Sequence, residues 1–108
     1  MIIIKSDKYK KDLQKKIIRK HKYDEKKTID KIEALCIQSE NLEKLILNPL
    51  SKVYSIAKKE GNLKEIYTAN VNRKIRLYMK PKGEYPYKRI EITEIEFLEI
   101  DDKHYGEG

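Results

Sequence analysis

Apolar and polar residues alternate from residue 72 to residue 80. Ile75, Leu77 and Met79 fall on one parity, and Lys74, Arg76, Tyr78 and Lys80 on the other. That period of two predicts a strand with one buried and one wet face. Other segments read against it in turn. Ile2, Ile3 and Ile4 are short, β-branched and followed by Ser6 and Asp7, which predicts a first strand buried on both faces and then a helix cap. Over residues 7–20 the spacing becomes helical, with Tyr9, Leu13 and Ile17 on one stripe and Lys8, Lys11, Lys15 and Arg19 outward. A second helix is predicted to open at Asp24 and Glu25, with Ile29, Ile32, Leu35 and Cys36 inward. Ser39 is read as the cap of a further short turn carrying Leu42, Leu45 and Ile46, and Asn48 before Pro49 as the end of the helical half.

The second half reads as sheet. Residues 53–57 are a candidate strand, Gly61 and Asn62 a turn, residues 66–71 the next strand, and Asn72 with Arg73 a reversal into the alternating stretch. After a loop over residues 81–86, residues 87–92 alternate again, with Ile90 and Ile92 inward. Ile95 and Phe97 then lie on the opposite parity, so a bulge or break is expected near Thr93 and Glu94. The fold class expected is α+β in one domain over residues 1–108. An N-terminal strand and a helical hairpin (helical part about residues 7–47) pack on a twisted antiparallel sheet of three to five strands (about 52–100). A polar tail follows over residues 101–108.

Composition changes the picture in two places. Apolar residues make up 39% and charged residues 40% of the 108, a lean core whose periodic spacing still argues for a folded domain. The formal net charge is +7, and it is unevenly placed. Residues 1–33 hold twelve Lys/Arg and six Asp/Glu, and residues 73–82 hold five cations and no acid. From Lys88 onward there are three cations and seven acids. A basic body points first to a nucleic acid and second to an acidic protein. One cysteine, Cys36, excludes an internal disulfide and fits a reducing cytoplasm; one cysteine and two histidines argue against zinc. No apolar run nears the roughly 18 residues of a membrane span.

The wet face of the alternating strand supplies the candidate chemistry. Its cations suit phosphates and Tyr78 suits a stacked base, although an ordinary solvated strand has the same composition. Arg76 is the leading candidate, because a guanidinium holds two phosphate oxygens at once. Lys64, Arg73, Lys74, Tyr78 and Lys80 are candidate RNA contacts, Glu65 a candidate base, and His21 a helix-end residue.

Several of these features together resemble the RelE/ParE toxin superfamily of type II toxin–antitoxin systems, closest in look to its HigB "killer" branch. They are the short strand and basic helix over residues 2–20, and Leu42, Leu45, Asn48 and Pro49 before the sheet. Gly61, Asn62, Leu63 and Lys64, then Tyr67, Val71, Asn72, Ile75, Arg76 and Leu77, complete the pattern. The resemblance implies a cytoplasmic toxin held by a cognate antitoxin, a ribosome-dependent mRNA endonuclease with no metal or other cofactor. Its reaction is attack of a ribose 2′-OH on the adjacent phosphate. Arg76 matches the strand arginine that contacts the scissile phosphate, and His104 and Tyr105 resemble a C-terminal His/Tyr pair. Where RelE members carry two strand lysines, this chain has Tyr67 and Ala69. Two alternatives stay open: a non-enzymatic ParE-like gyrase inhibitor, and a non-toxic basic RNA-binding domain.

Overall fold

A period of four runs through the first helix: Tyr9, Leu13 and Ile17; Lys8, Asp12, Lys16 and Lys20; Lys11, Lys15 and Arg19. In an α-helix each such series would drift by about 40° per step. The computed structural model, which describes residues 1–59, 61 and 65–103, shows how the chain resolves this. Helix α1 (Asp7–Asp12) widens into π-helical turns over Leu13–Ile18, with Arg19 N–H donating to Gln14 O and Lys22 N–H to Ile17 O. Tyr9 and Ile17 both stay buried as a result. Helices α2 (Tyr23–Gln38), α3 (Leu42–Leu47) and α4 (Pro49–Val53) follow. The strands are β1 (Ile2–Lys5), β2 (Ala57–Lys58), β3 (Tyr67–Asn70), β4 (Arg76–Pro81) and β5 (Glu94–Asp101). They form one sheet in the order β1-β5-β4-β3-β2. Tyr9, Ile17, Ile29, Ile32, Leu42 and Leu45 from the helices meet Leu77, Met79, Ile95, Phe97 and Ile100 from the sheet in one core. Tyr9 and Phe97 pack edge to face, 5.4 Å between ring centres.

Strand β5 is eight residues long and β1 only four. Their parallel pairing ends at Lys5 opposite Phe97, which leaves residues 98–101 without a strand on that side. Side chains of the first helix take its place. Ser6 caps α1 by accepting from Tyr9 N–H, and its hydroxyl donates to Leu98 O at 2.7 Å. Asp12, only 6% exposed, accepts the Ile100 N–H at 2.9 Å, and the Lys16 ammonium donates to Ile100 O at 2.7 Å. Lys8 and Lys16, one helical turn on either side, balance the buried carboxylate. Opposite Tyr78 and Met79 the register jumps from Glu99 to Phe97. Leu98 is the extra residue, and this bulge lets Phe97 and Ile100 both face the core.

Several sequence expectations change. The sheet is mixed, not antiparallel throughout, because β1 runs parallel to β5. β1 is an edge strand with Ile2 exposed, so it is not buried on both faces. Asn48 and Pro49 do not end the helical half. Asn48 caps α4 by accepting from Leu50 N–H, with Pro49 at the first helical position, where its missing N–H costs nothing. Residues 53–57 are therefore mostly helix end and turn; Ala57, with Lys58 after it, pairs with β3 in register, and Tyr54 O accepts from the Asn70 N–H. Asn41, not Ser39, caps α3. Residues 87–92 are a loop with a 3₁₀ turn at Arg89–Glu91, and Ile90 is exposed while Ile92 is buried. Asp101 belongs to β5, so the polar tail starts one residue later. Among the described residues no helix is long and apolar enough to cross a membrane.

Two outcomes follow from these contacts. Asp12→Ala strands the Ile100 N–H and should cost about 1–3 kcal/mol in urea unfolding, with Asp12→Asn, which can still accept, losing less. Unchanged midpoints in both would contradict the role given to Asp12. Burial pushes the Cys36 thiol from its ordinary 9.0 up to about 12. The folded thiol should resist alkylation at pH 8 until the chain is denatured. The folded state also holds that proton more tightly than the unfolded one. Its contribution to stability is therefore full below pH 9 and declines as pH rises from 9 toward 12.

Candidate functional site

The turn into β4 is built by Asn72. Its side-chain carbonyl accepts from the Lys74 and Ile75 N–H groups, both at 2.8 Å, and its amide donates to Glu25 at the start of α2 at 2.9 Å. The turn is thus tied to the helical layer, and Ile75 enters the core while Arg73 and Lys74 stay exposed. Arg76 opens β4, half-buried on the face away from the helices, with Asn70 across from it on β3 and Asp101 on β5. Tyr78 is next on that face. Its hydroxyl donates to Asp101 Oδ2 at 3.4 Å, and the Lys59 ammonium stands 5.4 Å from its ring centre.

The open face is a charge ladder and not a row of cations. Lys80 lies opposite Glu96 and 4.0 Å from Glu65, and Lys82 is 3.7 Å from Glu96. Of the five cations of residues 73–82, Arg76, Lys80 and Lys82 lie along β5, which supplies Glu94, Glu96, Glu99 and Asp101, while Arg73 and Lys74 stand exposed in the turn before β4. Charges that are segregated in sequence are neighbours in space, because the antiparallel β4–β5 pairing folds the basic stretch onto the acidic one.

Arg76, Tyr78 and Asp101 are brought together at one end of the sheet; Lys80 and Glu65 lie toward the other, about 13 Å along β4. Glu65 therefore does not join Arg76 as a base. Lys64, His104 and Tyr105 lie outside the described residues. His21 sits at the helix end with φ of 54°, and its Nδ1 is 3.1 Å from the Tyr23 hydroxyl. Tyr67 and Ala69 face the core, 3% and 0% exposed. The end of β5 adds groups that the pattern did not single out. Lys16 and Lys20 each approach Asp102 at 3.7 Å, and the Lys103 N–H donates to Asp101 Oδ1 at 2.9 Å. Asp12 escaped notice because a lone aspartate in a lysine-rich helix reads as solvated. Asn72 was legible as a turn residue, but not as a tie to Glu25.

A second cluster gathers Tyr67, Tyr85 and Tyr87. Tyr85 and Tyr87 meet edge to face at 5.3 Å, and the Tyr87 hydroxyl donates to Glu65 O at 2.6 Å. Burial, with Glu65 adding to it, pushes the Tyr87 phenol up to about 12. Burial also raises Tyr67, against the opposing pull of the Arg89 guanidinium.

With this geometry in place, solved structures offer a comparison. YafQ from E. coli strain BL21(DE3) matches with a TM-score of 0.66 and 18% sequence identity, over 93% of this chain and 90% of that one. A histidine-to-glutamine variant of E. coli YafQ matches with a TM-score of 0.64 and 20% identity over the same shares. The chain shares its fold with YafQ. It is the α+β fold that the sequence resemblance implies. No protein-family model matches the sequence, and no curated protein does.

Asn72→Ala removes both turn bonds and the tie to Glu25, and should cost about 1–3 kcal/mol in thermal or urea unfolding. Asn72→Asp keeps an acceptor for both turn N–H groups but sets a carboxylate against Glu25, so it should fall between wild type and alanine. An alanine variant as stable as wild type would contradict the placement.

Proposed function

We propose that this chain is the toxin of a type II toxin–antitoxin pair, an mRNA endonuclease that cuts on the ribosome in the cytoplasm. The observation that carries this reading is the corner occupied by Arg76. Its side chain stands half-buried on the open face, beside Tyr78 and across from Asp101. His104 and Tyr105 follow Asp101 by three and four residues, a reach of at most about 10–14 Å. The shared YafQ fold supports the same reading.

In the proposed reaction the ribose 2′-oxygen bonds to the adjacent phosphorus and the bond to the 5′-oxygen breaks. The products are a cyclic phosphate and a 5′-hydroxyl. A base takes the 2′-OH proton and an acid protonates the leaving 5′-oxygen, roles proposed for His104 and Tyr105. Arg76 supplies two N–H donors to the phosphate oxygens, where negative charge builds in the transition state. No step calls on a metal. Arg73, Lys74 and Tyr78 line the approach to Arg76, Lys80 is assigned to RNA further along the strand, and Lys64 is proposed as a further RNA contact. The antitoxin has a surface to cover: Leu47 and Leu50 are more than half exposed and line two grooves that share Gln38, with Lys44 in one and Lys31 in the other.

The balance of cations and carboxylates on the sheet favours a second reading, a non-enzymatic ParE-like inhibitor of gyrase. Induced expression separates the two. The endonuclease predicts growth arrest with cut mRNA, and Arg76→Ala should restore growth and lower cleavage by about 10²–10³-fold while remaining folded. Arrest with intact mRNA and trapped gyrase–DNA complexes would select the inhibitor. Harmless expression would leave a plain RNA-binding domain.

A further inference from the structure

The sheet face is close to neutral, so the chain's surplus charge must lie elsewhere. Residues 7–22 contain eight lysines and arginines against two aspartates, six of the chain's net +7. Three of those cations are turned toward carboxylates: Lys8 to Asp12 and Glu99, Lys16 to Asp12 and Asp102, and Lys20 to Asp102. Lys11, Lys15 and Arg19 are exposed, and among the described residues no carboxylate pairs with any of them. The period of four and the widening of the helix keep these three in one row, about 6 Å apart along the axis. Asp12, the one acid between Lys8 and Lys22, is turned inward and buried.

We propose that this row is a second RNA-binding surface, one that grips the phosphate backbone of paired RNA. Its chemistry separates it from the Arg76 corner. The row holds no aromatic residue, so it offers single-stranded bases nothing to stack on. Backbone phosphates of a duplex need only spaced cations. A protein partner would call for an apolar centre inside a polar rim; the exposed apolar groups near the row, Ile18 and Tyr23, share a groove past its Arg19 end and not at its centre. The surface is continuous with the candidate site. The same helix reaches Asp102 through Lys16 and Lys20, one residue beyond Asp101, which lies across from Arg76. RNA held on the helix would thus leave the strand end free for an unpaired segment.

This inference takes the RNA target from the proposed function, but its test reads binding and not cleavage. Binding of a short labelled RNA hairpin is followed by fluorescence anisotropy across a KCl titration. The combined variant Lys11→Gln, Lys15→Gln, Arg19→Gln should bind at least tenfold more weakly near 0.1 M salt. The slope of log K against log[KCl] should fall by about two to three. Arg76→Ala should leave that slope within one unit. Circular dichroism checks folding; should the triple variant unfold, each single glutamine variant should lower the slope by about one. A triple variant that binds the hairpin like wild type overturns the proposal. So does one that loses polyglutamate while keeping the hairpin, which would mark an acidic protein site. Loss of toxicity in Arg76→Ala with an unchanged helix effect leaves both readings standing. A helix effect in a chain that cuts no RNA removes the nuclease alone.

Discussion

The carboxylate of Asp12 holds the uncovered edge of β5. A four-residue β1 lies beside an eight-residue β5, so half of the longer strand would present backbone groups to no partner, a costly arrangement inside a fold. Ser6, Asp12 and Lys16 supply the missing bonds from the first helix. Helix packing, strand pairing and the position of the chain end are therefore one linked arrangement. Moving the helix would free Ile100, and with it Asp101 and Asp102, the groups that face Arg76, Tyr78, Lys16 and Lys20.

Much of the fold was legible because its parts obey a single period. Ile29, Ile32, Leu35 and Cys36 repeat on a helical face, and Ile75, Leu77 and Met79 on a strand face; all seven are buried. What escaped had a local cause in each case. Residues 53–57 have β-branched and aromatic character, but Asn48 and Pro49 start a new helical turn just before them. Residues 87–92 alternate, yet the 3₁₀ turn points Ile90 outward. The parallel pairing of β1 depends on a contact across some 90 residues, for which the sequence carries no marker. The period of four in the first helix is visible in the sequence, but it does not differ there from an ordinary amphipathic stripe.

The candidate site was legible in type and misread in surroundings. Arg76 and Tyr78 do occupy the open face. The carboxylates beside them come from a strand some twenty residues later, so a local reading finds cations alone. Folding sets carboxylates against Lys80 and Lys82 on the sheet, while Lys11, Lys15 and Arg19 form an exposed row on the helix. The lean core and the polar surface fit together in this way. Ionic contacts at the β5 edge set the geometry, and the cations left over define a surface for a polyanion.

Amide hydrogen exchange at Ile100 tests the central claim most directly. If the Asp12 carboxylate replaces the missing strand, this amide should exchange only through global unfolding, as slowly as the amide of Leu77 in the middle of the sheet. Exchange at the rate of a fraying chain end, with Leu77 still protected, would contradict the account.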